Sequence, residues 1–298
     1  MVAEGKFDRL EKLTKRHRKK HLLLVHQTNE ENGLERFYDY FTDFDPAASD
    51  EGWENIPPTL VKWALAYPES PTPLISLGFF YVSFGWKARG TGYADTVTGQ
   101  GWTLLHERVA KAKIYLEKAA ALPIQDPNAY VGLIDVAQGL DLPREYMEAA
   151  YERGVALEPN YLPLYLHKAT YLLPRWHGAR GEWETWLKKT ADAVGGEDGD
   201  ILYKSVAHYV ADVEGEEFFH ITAADYSRMK RGFEVILARY GQKTPSPNLN
   251  ALCYFACIAS DRTTAENCFQ RIGNHWVKGV WGSEANFNRW HAWAFGSQ

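Results

Sequence analysis

Trp102-TLLHERVAKAKIYLEKAA-Ala121 is the stretch that decides the fold. Its apolar residues Trp102, Leu105, Val109, Ala112, Leu116 and Ala119 step by 3, 4, 3, 4 and 3, the period of a single helix face. Lys, Arg and Glu fill half of the positions between, so this helix has one side to bury and one to wet. Pro123 and Pro127 end it. Working outward, 128–140 and 143–157 read as a second helical hairpin, and 74–88 as the helix before. The link between 74–88 and the decisive helix is RGTGYADTVTGQG, Arg89 to Gly101, a glycine-rich connection that no strand precedes. No strand alternation and no Asn-Gly hairpin signal occurs anywhere in the chain. The expected fold class is all-α.

The flanks fit that class. Phe7, Leu10 and Leu13 open a helix expected over 7–27, whose middle carries the basic run KRHRKKH. From Glu30 to Glu54 the sign reverses, so the two segments are expected to neutralise one another as antiparallel helices. Residues 45–58 read as a loop, and Pro57 and Pro58 as the first turn of the next helix. Beyond the centre, helices are expected over 183–194, 201–213, 249–260, 263–272 and 284–294. GGEDGD is read as a separator at 195–200, and Thr222 as the cap of a helix ending at Tyr240.

The chain also repeats itself. Tyr115-LEKAAALPIQDPNAY matches Tyr151-ERGVALEPNYLPLY, and the pairs Ala121-Leu122 and Ala156-Leu157 are 35 residues apart, each shortly before a proline, Pro123 and Pro159. That spacing is near the tetratricopeptide period. The implied architecture is a tetratricopeptide-like α-solenoid of antiparallel helical hairpins, in which each hairpin covers its neighbour's apolar face. The chain is read as one elongated domain, 1–298: a charged helical pair at 1–54, central repeats at 55–194, and C-terminal repeats with a cap at 195–298. Trp86-KARG with Tyr93, then Leu172-Leu173-Pro174-Arg175-Trp176-His177-Gly178, and the late Asn250-ALCYFACIASDRTTAENCFQRIG carry a more specific likeness. Together they resemble the DUF4034 group, a bacterial family of unknown function regarded as tetratricopeptide-like. The likeness covers most of the chain from about Phe37 onward. It implies a helical-repeat fold and supplies no activity. The family more often carries a small residue where this chain has His177.

Composition narrows the function classes. With 45% hydrophobic and 24% charged residues the chain is that of a folded protein, and its formal net charge of −5 gives no global case for nucleic acid. The N-terminal segment has no apolar signal region and no apolar run suits a membrane span, so a cytoplasmic protein without a membrane partner is expected. Cys253, Cys257 and Cys268 lack zinc-ribbon spacing and fall in one apolar region, so they are read as buried free thiols. His17 and His21 share a helix face, but the cations between them disfavour a metal there. No metal or cofactor is expected, and no nucleophile elbow or catalytic triad pattern stands out.

Two loops carry the candidate site. Arg175 and Trp176 can stack while the guanidinium keeps its donors for a carboxylate or phosphate, and His177 and Gly178 complete that turn. Arg89, Gly90, Gly92 and Tyr93 form the other, a weak phosphate pattern without the strand or lysine that a nucleotide loop needs. The expected site residues are Trp86, Arg89, Tyr93, Arg175, Trp176 and His177, with the two arginine loops converging on one edge of the concave face. The expected function is non-catalytic binding of a protein or peptide partner. Two other readings stand beside it: a bacterial immunity or antitoxin protein that neutralises a toxin, and an enzyme or receptor for a small anion using the Arg89 and Arg175 loops.

Overall fold

The computed structural model describes residues 5–18, 33–41, 49–240 and 245–296. Among these residues the chain is all-helical with no strand, and it divides into two compact units. The first comprises Met1–Tyr171 with Arg175–His177; the second comprises Leu172–Pro174 with Gly178–Gln298. No helix among the described residues is long and apolar enough to cross a membrane.

In the N-terminal unit, α1 (Phe7–Arg18), α2 (Gly33–Asp39), α3 (Asp50–Glu54) and α4 (Pro57–Ala66) lead into α5 (Pro71–Arg89). Then come α6 (Gly99–Ala120), α7 (Pro127–Gly139), α8 (Arg144–Leu157) and α9 (Leu162–Tyr171). Helices α5 and α6 form the most extensive pair, α7 and α8 the next, and α5, α7 and α9 pack on one another in succession. Starts are fixed by side-chain caps: Ser70 on α5, Thr98 on α6 and Asp126 on α7. The segment expected as a loop at 45–58 contains α3, because Ser49 caps it and Trp53 buries itself against Phe80 and Phe84.

What holds α5, α6 and α7 so close is a seven-residue register shared by all three. Gly78 and Gly85 lie seven apart on α5, Gly132 and Gly139 seven apart on α7, and Val109 and Leu116 seven apart on α6. A Cβ placed on Gly132 would fall 2.8 Å from the Leu116 methyls, and one on Gly78 would meet the same leucine from the other side. Val109 is gripped likewise between Gly85 and Gly139. Both clamped residues are fully buried. The missing side chains let the backbones approach until α6 packs at interior density.

The basic run of α1 does not all face solvent. Arg18 Nη1 donates to Thr72 Oγ1 at 2.8 Å and lies 3.1 Å from Asp126, which also accepts from the Tyr38 hydroxyl at 2.9 Å. Arg18 thus finds its carboxylate on the α6–α7 connection. Lys19, Lys20 and His21 of KRHRKKH and much of the acidic stretch after it lie outside the described residues.

The C-terminal unit comprises α10 (Glu182–Val194), α11 (Gly196–Glu214), α12 (Phe218–Ile221) and α13 (Tyr226–Tyr240), then α14 (Pro247–Ile258), α15 (Arg262–Ile272), α16 (Lys278–Trp281) and α17 (Glu284–Phe295). Each main helix packs on the next: α10 on α11, α11 on α13, α13 on α14, α14 on α15. GEDGD opens α11 instead of separating helices; its Glu197 and Asp198 suit a helix N-terminus and reach Arg239 of α13. The cap of α13 is Asp225, which accepts from Arg228 N at 3.1 Å, whereas Thr222 turns back to Phe218 O. All three cysteines are buried and free.

One turn recurs in both units. At the α7–α8 junction Asp141 takes φ +55°, and Leu142 N donates to Ala137 O; at the α14–α15 junction Ser260 takes φ +60°, and Asp261 N donates to Ala256 O. Each is a left-handed residue closing a helix with a bond back five residues, the usual way to satisfy terminal carbonyls.

Candidate functional site

The last turn of α5 places Trp86 and Arg89 three residues apart, on one face of the helix. Gly90, at φ +77°, ends the helix, and its N–H donates to Trp86 O at 2.9 Å. Arg89 then folds the following loop onto itself: Nη1 donates to Gly90 O at 3.0 Å and to Gly92 O at 2.8 Å. Thr96 closes the loop tip by donating from Oγ1 to Tyr93 O at 2.7 Å, and Thr98 caps α6. Gly101 sits close against Ala88 O, so α6 begins beside the end of α5 and brings Trp102 to Arg89.

The third indole comes from the turn after α9. His177 N donates to Tyr171 O at 3.1 Å, and the two rings stack with centroids 4.4 Å apart. His177 Nε2 lies 3.2 Å from Gln138 O and Nδ1 3.4 Å from Asp141. Pinned in this way, the turn sets Trp176 edge-on to Trp86 at 5.3 Å. The Arg89 guanidinium therefore lies 5.6 Å from the Trp86 ring, 5.3 Å from Trp102 and 5.4 Å from Trp176.

Three half-buried indoles thus surround one guanidinium. The rings hold the cation through their electron-rich faces and keep bulk water from part of it. Nη1 is engaged by carbonyls, but Nε is enclosed with no acceptor among the described residues. The cluster can offer a partner a rigid aromatic surface and a charged donor whose orientation is already set.

Of the expected site residues, Trp86, Arg89 and Trp176 come together. His177 is the strut that positions Trp176. Tyr93 stands on the loop tip with 82% of its surface exposed, and Arg175 is exposed on the neighbouring turn. Trp102 was not among the expected residues, because its helical spacing reads as a core position; it is half-buried and turned toward Arg89. Its place at the very start of α6, directly after the glycine-rich loop, was the signal available. Nearby, His167 Nδ1 of α9 lies 2.5 Å from Asp135 of α7, tying these helices together.

Among the described residues no three His, Cys, Asp or Glu side chains are grouped so as to hold a metal ion. Comparison with known protein families, with curated proteins and with solved structures gave no match to this chain.

Proposed function

We propose that this chain is a non-catalytic binding protein whose N-terminal unit engages a protein or peptide partner through the Trp86–Arg89–Trp102–Trp176 cluster and the Tyr93 loop. The observation that carries the reading is Arg89. It is held, half-buried, among three indoles beside the exposed Tyr93 loop, so the accessible side of its guanidinium meets a carboxylate or main-chain carbonyl of the partner while the indoles take an apolar side chain.

The reading includes a tetratricopeptide-like stacking of hairpins in this unit. It is supported by the succession α5, α7 and α9 and by the bond from Tyr161 Oη to Asn128 Oδ1 across 33 residues. The sequence likeness to the DUF4034 group points the same way. A cytoplasmic location goes with the reading, since three buried free thiols suit a reducing compartment.

The test is capture of partners from the native lysate by the wild-type chain beside an Arg89→Ala/Trp176→Ala variant, both shown to be folded by circular dichroism. Truncating a stacked arginine or tryptophan at the centre of an interface costs about 2 kcal/mol or more, roughly thirtyfold in affinity. A partner held by the wild type and lost by the folded variant supports the reading. A partner held equally by both removes the cluster from the binding site.

A further inference from the structure

With residues that the tryptophan–arginine cluster does not use, the N-terminal unit forms a solvent-open groove of about 510 Å³. Helices α4 and α6 both pack on α5, and they wall the groove while α5 floors it. Pro57 and Val61 of α4, Tyr81 of α5 and Leu104 of α6 give it an apolar lining. All four are half-buried, so solvent reaches each of them. Leu65, one turn beyond Val61 on the same side of α4, keeps 76% of its surface exposed.

The charged groups around this lining are not equally committed. Arg108 is buried and engaged: its guanidinium lies 3.3 Å from the Phe84 ring centroid, Nη1 donates to Phe84 O at 2.9 Å, and Nη2 donates to Asp50 Oδ2 at 2.6 Å. Glu54, at the end of α3, and Glu107 of α6 also line the groove. Both are exposed, and neither makes a hydrogen bond or an ion pair among the described residues. Lys111, with Nζ 5.7 Å from the Tyr81 ring, offsets one of the two carboxylates, so the rim stays negative. The next groove of the same unit, between α6 and α8 over Leu133, is the contrast. There Glu117 accepts from the Tyr146 hydroxyl at 3.0 Å and lies 2.8 Å from Lys113 Nζ, and the Arg153 guanidinium lies 5.1 Å from the Tyr130 ring. Its charges are answered from within the fold; Glu54 and Glu107 are not.

We propose that the α4–α6 groove docks a short segment of another protein in which a bulky apolar side chain is flanked by lysine or arginine. The apolar side chain lies against Val61, Tyr81 and Leu104, and the cation meets Glu54 and Glu107 at the rim, the division of apolar centre and polar edge that interfaces use. The two carboxylates set the sign of the occupant: an acidic segment lying in the same trough is repelled. The formal net charge of −5 favours approach of the same class of partner. The volume is that of a side-chain or small-ligand pocket, so the segment inserts a few residues and no folded domain need enter.

The probe is a random peptide library displayed on phage and selected on the full-length chain; an enriched peptide is then labelled with fluorescein and titrated by anisotropy. Enriched sequences that pair Leu, Ile, Phe or Trp with Lys or Arg are expected. Glu54→Lys/Glu107→Lys, two exposed changes outside the core and shown to be folded by circular dichroism, should weaken such a peptide about tenfold or more. Glu54→Gln/Glu107→Gln should fall between that variant and the wild type. Arg89→Ala/Trp176→Ala should bind the peptide as the wild type does, which separates this groove from the tryptophan–arginine cluster. A library that enriches nothing, or enriches acidic sequences, overturns the proposal. So does an enriched peptide that Glu54→Lys/Glu107→Lys binds as tightly as the wild type. Self-association of the wild-type chain that the charge reversal abolishes also overturns it, because the occupant is then a second copy.

Discussion

The two units solve the same problem, close packing of neighbouring helices, with different chemistry. In the N-terminal unit α6 is clamped by absence: four glycines on α5 and α7 receive Val109 and Leu116. In the C-terminal unit α10 and α11 meet α13 through charge. Arg228 Nη1 lies 2.6 Å from Asp192 and its Nε 3.0 Å from Asp200; Arg231 takes the other Asp200 oxygen at 3.0 Å; Arg239 spans Glu197 and Asp198. One glycine, Gly232, still lets α13 approach the Asp200 carbonyl and Lys204. The lesson is that a glycine register stabilises by area and shape, which salt and pH leave alone, whereas a charged seam is tunable by both. The tryptophan–arginine cluster sits on the unit held by shape.

The largest effect should come from the clamp itself. Leu116→Ala removes a fully buried side chain from between two helices and should cost about 3–5 kcal/mol, read as a fall in the urea midpoint. Next, and opposite in sign, is Lys204→Met in the charged unit. Lys204 is 6% exposed; its Nζ lies 4.5 Å from the Phe233 ring and, among the described residues, has only Asn248 Oδ1, at 3.3 Å, as a hydrogen-bond partner. Burial pushes its amine down to about 8, and the adjacent half-buried His208 is likewise pushed down, to about 3, by desolvation and the Lys204 charge.

The unfolded chain keeps the Lys204 proton up to about pH 10.4, so between about 8 and that value folding releases it and stability rises with pH. Below about 8 both states carry the proton and the burial cost is present in full. Lys204→Met should therefore stabilise by about 2–3 kcal/mol at pH 7 and remove the alkaline rise, which paired urea melts at pH 7 and pH 10 would show. Gly132→Ala should cost about 1–3 kcal/mol through overpacking on Leu116, and an accompanying Leu116→Val should recover part of that. The smallest effect is expected from Arg239→Gln. Its pairs are exposed, so the midpoint should barely move, and molar salt should erase even that difference. If molar salt instead shifted Gly132→Ala and Arg239→Gln alike, the contrast between the units would fail.

Much of this was legible in the sequence and part of it was not. The face of α6 could be read position by position, because burial on one side imposes its period directly. The seven-residue spacing of Gly78 and Gly85, and of Gly132 and Gly139, stands in the sequence just as plainly. It acquires meaning only when α5 and α7 are known to grip the same helix, which is tertiary information. GEDGD looks like a breaker, yet its carboxylates favour a helix N-terminus and find Arg239 more than forty residues on. Thr222 and Asp225 both suit a cap, and local composition does not choose between them; the fold uses Asp225. At the candidate site, Trp86, Arg89 and Trp176 were legible as an arginine and indoles in turn-rich loops. Trp102 was not, because a residue at the first turn of a helix keeps the helical period while facing whatever the preceding loop brings to it.

The central claim is that the tryptophan–arginine cluster is a partner surface. Its most direct test replaces Tyr93, on the exposed loop tip, with a photo-crosslinking phenylalanine analogue, and does the same at the exposed Tyr209 of the other unit. Irradiated in native lysate, position 93 should give one discrete adduct that Arg89→Ala/Trp176→Ala abolishes, and position 209 should not give it. Identical adducts from both positions, or an adduct at 93 that survives the double substitution, would contradict the account.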